Sequence, residues 1–187
     1  MSRFGGSLSE GTGALLFIQA IALFRKKYPL SCHELHVVVV GFGEMANDLE
    51  CFAIDEADGM VEFRGSVSND SYQKLLGESQ IGLCLKLVSG PFHDSTFPSK
   101  VIELAAHELL LVSTAVSDVP KLFSSGNALL LPEETPEALA DALYWAVNHR
   151  TEAALMARRG RENIVRCCSP EKAGSDLVDF LTVKDAL

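Results

Sequence analysis

The stretch "STFPSKVIEL" (95–104) sets an ammonium and a carboxylate three residues apart at what reads as a helix start. Pro98 restricts the approach, Ser99 or Thr96 can supply a capping hydroxyl, and Lys100 then falls in the first turn, where a lysine opposes the helix dipole. That placement is unfavourable for an empty helix. It becomes favourable when an anion lies at the same end, because free N–H groups and the ammonium then point at it together. Glu103, one turn on, has the chemistry to accept hydrogen bonds from the two hydroxyls of a ribose while the helix start holds its phosphates. The plainer alternative is a surface ion pair between Lys100 and Glu103 at i, i+3 spacing.

Two glycine-rich loops add to this. "GGSLSEGTG" (5–13) carries four glycines in nine residues, so its backbone N–H groups can approach a ligand closely. It lacks the G-K-[ST] of a triphosphate-binding loop, which removes support for triphosphate hydrolysis. In "VVVVGFGEMA", Gly41, Gly43 and Ala46 match G-x-G-x-x-A, and Glu62 follows at a spacing suited to a ribose contact, which suggests NAD(P). Yet this is the second βα unit, whereas a dinucleotide domain carries its fingerprint on the first strand. Glycines that turn a strand tightly into a helix are the plainer account. His33 and His36 have no cysteine or carboxylate at ligand spacing, so no metal site is expected. The basic run "MARRGRENIVRCC" (156–168) reads as a solvated helix face, His107 as a helix-end charge, and Tyr144 and Trp145 as packing on an apolar helix.

The elements that position these residues follow from an alternation of short apolar runs with longer helical ones. Strands are expected at 3–8, 35–41, 60–65, 81–86, 109–114 and 128–132. Helices are expected at 13–27, 44–53, 69–77, 99–107, 118–124 and 136–149, with further turns over 151–166 and 171–182. Thr135-Pro136 and Ser169-Pro170 mark two helix starts. The fold class is α/β: an open, mainly parallel, six-stranded Rossmann-like sheet with helices on both faces. Ligands of such a sheet bind beyond the carboxyl ends of the strands.

The 187 residues are expected to form one domain, 1–187, beginning almost at the first strand and closing with a C-terminal helix over 170–187. A net charge of −9, from 16 basic and 25 acidic residues, argues against broad nucleic-acid or anionic-membrane binding, so any phosphate site is local. The longest apolar runs are too short to span a bilayer. Five cysteines without a CxxC fit a reducing cytoplasm.

In order, "GSLSEGTGALLFIQAI", "HVVVVGFGEM", "VEFRGSV", "YQKLLGESQIGLCL", "TFPSKVIELAAHELLLVST", "VSDVPKLF" and "EALADAL" resemble the C-terminal, donor-binding half of retaining GT-B glycosyltransferases of family 4. The resemblance covers nearly the whole chain. It implies one half of a GT-B fold and a nucleotide-sugar donor, UDP- or GDP-linked, with no cofactor and no metal. It also implies a hexosyl transfer in polysaccharide or glycoconjugate biosynthesis, and an acceptor-binding domain or subunit that this chain lacks. A lone donor half is expected to bind without efficient transfer, in the cytoplasm or peripheral to the inner face of the membrane through that partner. Glu103 matches the family's ribose-binding second glutamate, whereas its first glutamate falls on Ser95. The arginine and lysine that clamp the diphosphate fall on Ser7 and Thr12. Donor contacts are thus expected from Gly5, Gly6, Ser7, Thr12, Ser95, Thr96, Phe97, Pro98, Ser99, Lys100 and Glu103, with Lys86 as a further cation and Arg64 and Gly65 near the base. No catalytic residue is assigned. With the clamp reduced at Ser7, Thr12 and Ser95, a non-catalytic nucleotide-binding or scaffolding domain and an NAD(P)-binding domain stand as alternatives.

Overall fold

Val37, Val38, Val39 and Val40 are each at most 2% exposed, which requires a strand covered on both faces. They form an inner strand of an all-parallel sheet. In this computed structural model, residues 1–88 and 97–184 are described; among them strands and helices alternate as far as β6, and helices alone follow. The strands are β1 (Ser2–Ser7), β2 (Val37–Phe42), β3 (Val61–Phe63), β4 (Ile81–Cys84), β5 (Leu110–Ser113) and β6 (Leu129–Leu130). The helices are α1 (Ala14–Lys27), α2 (Ala46–Asp55), α3 (Asn69–Glu78), α4 (Lys100–Ala106), α5 (Val119–Leu122), α6 (Pro136–Asn148), α7 (Arg150–Cys168) and α8 (Pro170–Lys184). The spatial order is β3-β2-β1-β4-β5-β6, so the chain reverses its direction of travel across the sheet between β1 and β4.

One face carries Phe4, Val37 and Val39 against Phe17, Ile21 and Phe24 of α1, with Leu139 and Leu143 of α6 behind them. Phe4 and Phe17 stack at 4.9 Å. Fully burying one such side chain is worth about 1.5–3 kcal/mol, so this face contributes heavily to stability. The other face sets Leu76 of α3 and Val101 and Leu104 of α4 against Cys84 and Leu111. Gly82 has no side chain because Leu104 fills the space above it, its Cδ2 falling 2.7 Å from where a Cβ would stand. This close approach brings α4 down onto β4.

The helix starts marked by Thr135 and Ser169 are capped by those side chains, which accept from Ala138 N and Lys172 N, both at 3.2 Å. All the strands but β1 are shorter than the sequence suggests, among them β3, β4 and β6. β3 stops at Phe63, and Gly65 then turns the chain at φ +59°. β4 stops at Cys84, which leaves Lys86 two residues beyond its end. β6 consists of Leu129–Leu130 alone, an edge pairing with β5 only.

Candidate functional site

The reversal between β1 and β4 opens a cleft of about 220 Å³ at the carboxyl ends of these two strands. Its walls are Gly5, Ser7 and Thr12 from β1 and its loop, Cys84 at the end of β4 with Leu85 and Lys86 after it, and Phe97, Pro98, Ser99 and Lys100 at the start of α4. Residues nearly a hundred positions apart in sequence therefore share one cavity.

The glycine loop owes its form to close approaches. Gly6 has φ +114°, and a Cβ there would overlap the Lys100 ammonium. Gly13 has φ +81° and lies against the Leu85 carbonyl, so the loop is held to β4 as well. Thr12 Oγ1 donates to the Ser7 carbonyl at 2.7 Å and accepts from Ser9 N at 2.9 Å. Thr12 therefore braces the loop from inside. Gly41 and Gly43 (φ +142° and +149°) bring the end of β2 against the backbone of Gly6 and Leu8. This packing accounts for both glycines of the G-x-G without a ligand, and Glu62, the expected ribose contact of a dinucleotide, forms a two-point ion pair with Arg64 at 2.7 and 3.0 Å.

Lys100 and Glu103 do not form the surface pair their spacing allows. Lys100 reaches back and donates from Nζ to the Gly5 carbonyl. Burial holds its pKa below the ordinary lysine value, with Arg3 acting in the same direction and Cys84 and Glu103 opposing. Glu103 Oε2 instead accepts from the Tyr72 hydroxyl on α3 at 2.6 Å. Burial, and then this bond, raise the Tyr72 pKa well above its usual value, so the phenol remains a donor. Beneath the ring, Arg3 of β1 places its guanidinium 3.6 Å from the Tyr72 centroid.

Ser99 does not cap α4. Its backbone is already helical at φ −53°, ψ −22°, and no side-chain capping bond forms, because a capping side chain needs an extended backbone to reach the N–H groups ahead of it. Arg64 and Gly65 lie two strands away from the cleft, beyond β2, where the Gly65 carbonyl accepts from Gly41 N at 2.8 Å. Ser95 and Thr96 lie outside the described residues. Among the described residues no cluster of histidine, cysteine or carboxylate side chains has the geometry to hold a metal ion.

Arg3 and Tyr72 were not singled out in the sequence. Arg3 had a signal: a charge inside a buried strand demands a partner. Tyr72 had none, since only the packing of α3 beside α4 brings its hydroxyl to Glu103.

The all-parallel sheet, its order and the cleft at its switch point define a Rossmann-like domain of the kind that forms half of a GT-B glycosyltransferase. Residues 3–149 match the family described as glycosyl transferases group 1, and the chain belongs to that family. No curated protein matches the chain. Among solved structures it is similar to the C-terminal domain of a glycosyl transferase group 1 family protein, LpcC, from Francisella tularensis (TM-score 0.72, 19% identity, 89% of this chain and 84% of that one). It is also similar to S. aureus TarM, solved with UDP, fondaparinux and α-GlcNAc-glycerol (TM-score 0.75, 17% identity, 95% of this chain and 34% of that one). Anabaena HepE, solved with UDP-glucose, gives a TM-score of 0.75 at 16% identity, over 97% of this chain and 48% of that one. At these identities the structural likeness speaks for the fold. The chain spans a third to a half of the two larger relatives.

Proposed function

We propose that this chain is the donor domain of a retaining, family 4 type glycosyltransferase, binding a nucleotide-diphosphate hexose for polysaccharide or glycoconjugate synthesis. The observation that carries the proposal is the separation of Lys100 from Glu103. The ammonium faces the glycine loop at the switch point, and the carboxylate stands one turn away, held by Tyr72. A diphosphate against Gly5, Gly6 and Lys100 places its ribose toward Glu103. UDP or UDP-glucose in the HepE and TarM structures supports this choice of ligand class.

Chemically, departure of the nucleoside diphosphate concentrates negative charge on its phosphates, and fixed donors aimed there lower the barrier. Lys100, with loop N–H groups of 5–13, supplies them without a metal. Ser7 and Thr12 contribute no charge, so Lys100, assisted by Lys86, carries the cationic part of the clamp. Phe97, Pro98 and Ser99 border the same end of the cleft; Ser95 and Thr96 are proposed as further donor contacts, and Arg64 and Gly65 as contacts toward the base.

The acceptor is held by a separate domain or subunit. Juxtaposing two reactants is worth roughly 7–11 kcal/mol of a barrier, so the isolated chain binds donor and transfers poorly. Helix α8 leaves Leu177, Val178, Phe180 and Leu181 more than half exposed, an apolar face suited to that partner. Among the described residues no helix is long and apolar enough to cross a membrane, and we assign the reaction to the cytoplasmic side.

Calorimetric titration with UDP, GDP and NAD, on the wild-type chain and on Glu103→Ala, tests the proposal. Saturable binding of one nucleoside diphosphate, weakened by the substitution, is expected. Binding of NAD alone moves the site to the Gly41–Gly43 loop. Binding of none of the three refutes a donor site on this chain.

A further inference from the structure

Arg3 is 2% exposed, the second residue of the central strand β1, and its Nε and Nη1 are buried without a hydrogen-bond partner. A buried guanidinium with two unsatisfied N–H groups is costly unless something nearby is worth its field. Its register neighbours, Val38 and Gly82, offer no acceptor side chain. What it does meet is the face of Tyr72, and the hydroxyl of that ring is bonded to Glu103. Glu103 Oε1 has no hydrogen-bond partner among the described residues.

From this chain of contacts we infer that Arg3 and Tyr72 are positioning residues that hold Glu103 for the ribose diol, and so make the site select ribonucleotides over deoxyribonucleotides. The inference rests on the donor-site proposal above. The physical reason is competition. A lysine and a glutamate at i, i+3 on one helix pair readily, and a pair between Lys100 and Glu103 would neutralise the phosphate ligand and the ribose ligand together. Tyr72 prevents this by anchoring one carboxylate oxygen, while Arg3 fixes the ring from below by cation–π contact. The other oxygen then stays oriented for the ligand. Two adjacent hydroxyls on a ribose suit such a carboxylate, and a deoxyribose offers only one of them. Because Tyr72 stays protonated, the anchor persists across the neutral pH range.

The test is titration of the full chain with UDP, GDP and their 2′-deoxy and 3′-deoxy counterparts, on wild type, Tyr72→Phe, Glu103→Ala and the double variant. Tyr72→Phe keeps the ring over Arg3 and removes only the hydroxyl, and its melting temperature is measured alongside. Wild type is expected to prefer the ribonucleotide by on the order of tenfold or more, as befits a charge-assisted hydrogen bond. Tyr72→Phe is expected to reduce that preference at least about threefold, and to change it no further in the Glu103→Ala background, because the anchor acts only through Glu103. A purely structural Tyr72 would lower stability and leave the preference intact, and that outcome overturns the inference while leaving the donor site standing. If wild type binds neither diphosphate, the donor site falls and this inference with it.

Discussion

Lys100→Met separates binding from stability within one side chain. Methionine keeps most of the aliphatic volume that lysine places in the cleft and removes the ammonium. A charge-assisted hydrogen bond from Lys100 to a diphosphate is worth about 1.5–3 kcal/mol, so the dissociation constant of the nucleoside diphosphate should rise about 10- to 150-fold. Stability should respond differently. The bond given up in the free protein is to a neutral carbonyl, that of Gly5, and the ammonium making it is disfavoured by burial. Losing that bond and relieving that burial oppose each other, and the net effect should lie within about 1 kcal/mol of either sign. For a chain of this length that is a shift of about 2–4 °C in melting temperature. Calorimetric titration and thermal unfolding of the same preparations give both numbers. An unchanged dissociation constant would refute a role for Lys100 at the phosphates. A melting temperature lowered by ten degrees or so would show that its bond to Gly5 is structural.

Binding should also depend on pH with a defined sign. Burial lowers the Lys100 pKa in the free protein, with Arg3 adding to the effect and Cys84 and Glu103 opposing it, and a bound diphosphate raises it again. Affinity should therefore be highest below the free-state value and fall as pH rises through it, with proton uptake measurable by titration in buffers of different ionisation enthalpy. The stability term runs the other way. Between the lowered folded value and the ordinary lysine value the unfolded chain binds more protons, so this lysine's contribution to stability rises with pH across that window, and Lys100→Met should flatten both dependences. Gly41→Ala forces a side chain into the Gly6 backbone at φ +142°, which should cost at least about 3 kcal/mol, or about 6–12 °C, whereas Gly11→Ala meets nothing within 4 Å and should leave thermal unfolding unchanged.

Most of the sheet was legible because its signal is local. Runs such as Val37–Val40 are apolar on both faces and bounded by glycine, and Thr135-Pro136 and Ser169-Pro170 announce helix starts through capping chemistry that involves only neighbouring residues. The glycines of 5–13 and 41–43 were legible as close approaches, although what they approach was not. Strand ends were less clear, since they depend on the neighbouring strands: β4 ends at Cys84 opposite Ser113, the last residue of β5, whereas β3 ends at Phe63 although β2 runs on to Phe42. The expected cap by Ser99 failed because its backbone had already entered the helical region, a property of how the chain arrives and not of the residue type.

The candidate site divides along the same line. Lys100 and Glu103 stand out in the sequence because a lysine in a first helical turn conflicts with the dipole unless something answers it. Which partner each one takes could not be read there. Spacing along one helix favours their mutual pairing, and only the fold brings competitors of comparable strength: the Gly5 carbonyl from β1 and the Tyr72 hydroxyl from α3. Arg3 shows the limit most clearly. Its sequence position says that a charge is buried, whereas the packing of α3 and α4 on the same face of the sheet decides that this charge lies under Tyr72 and within reach of Glu103's field. Local propensity and periodicity determine elements, because they act between residues a few positions apart; long-range packing determines which polar groups meet, because it alone sets distances between residues far apart in the chain.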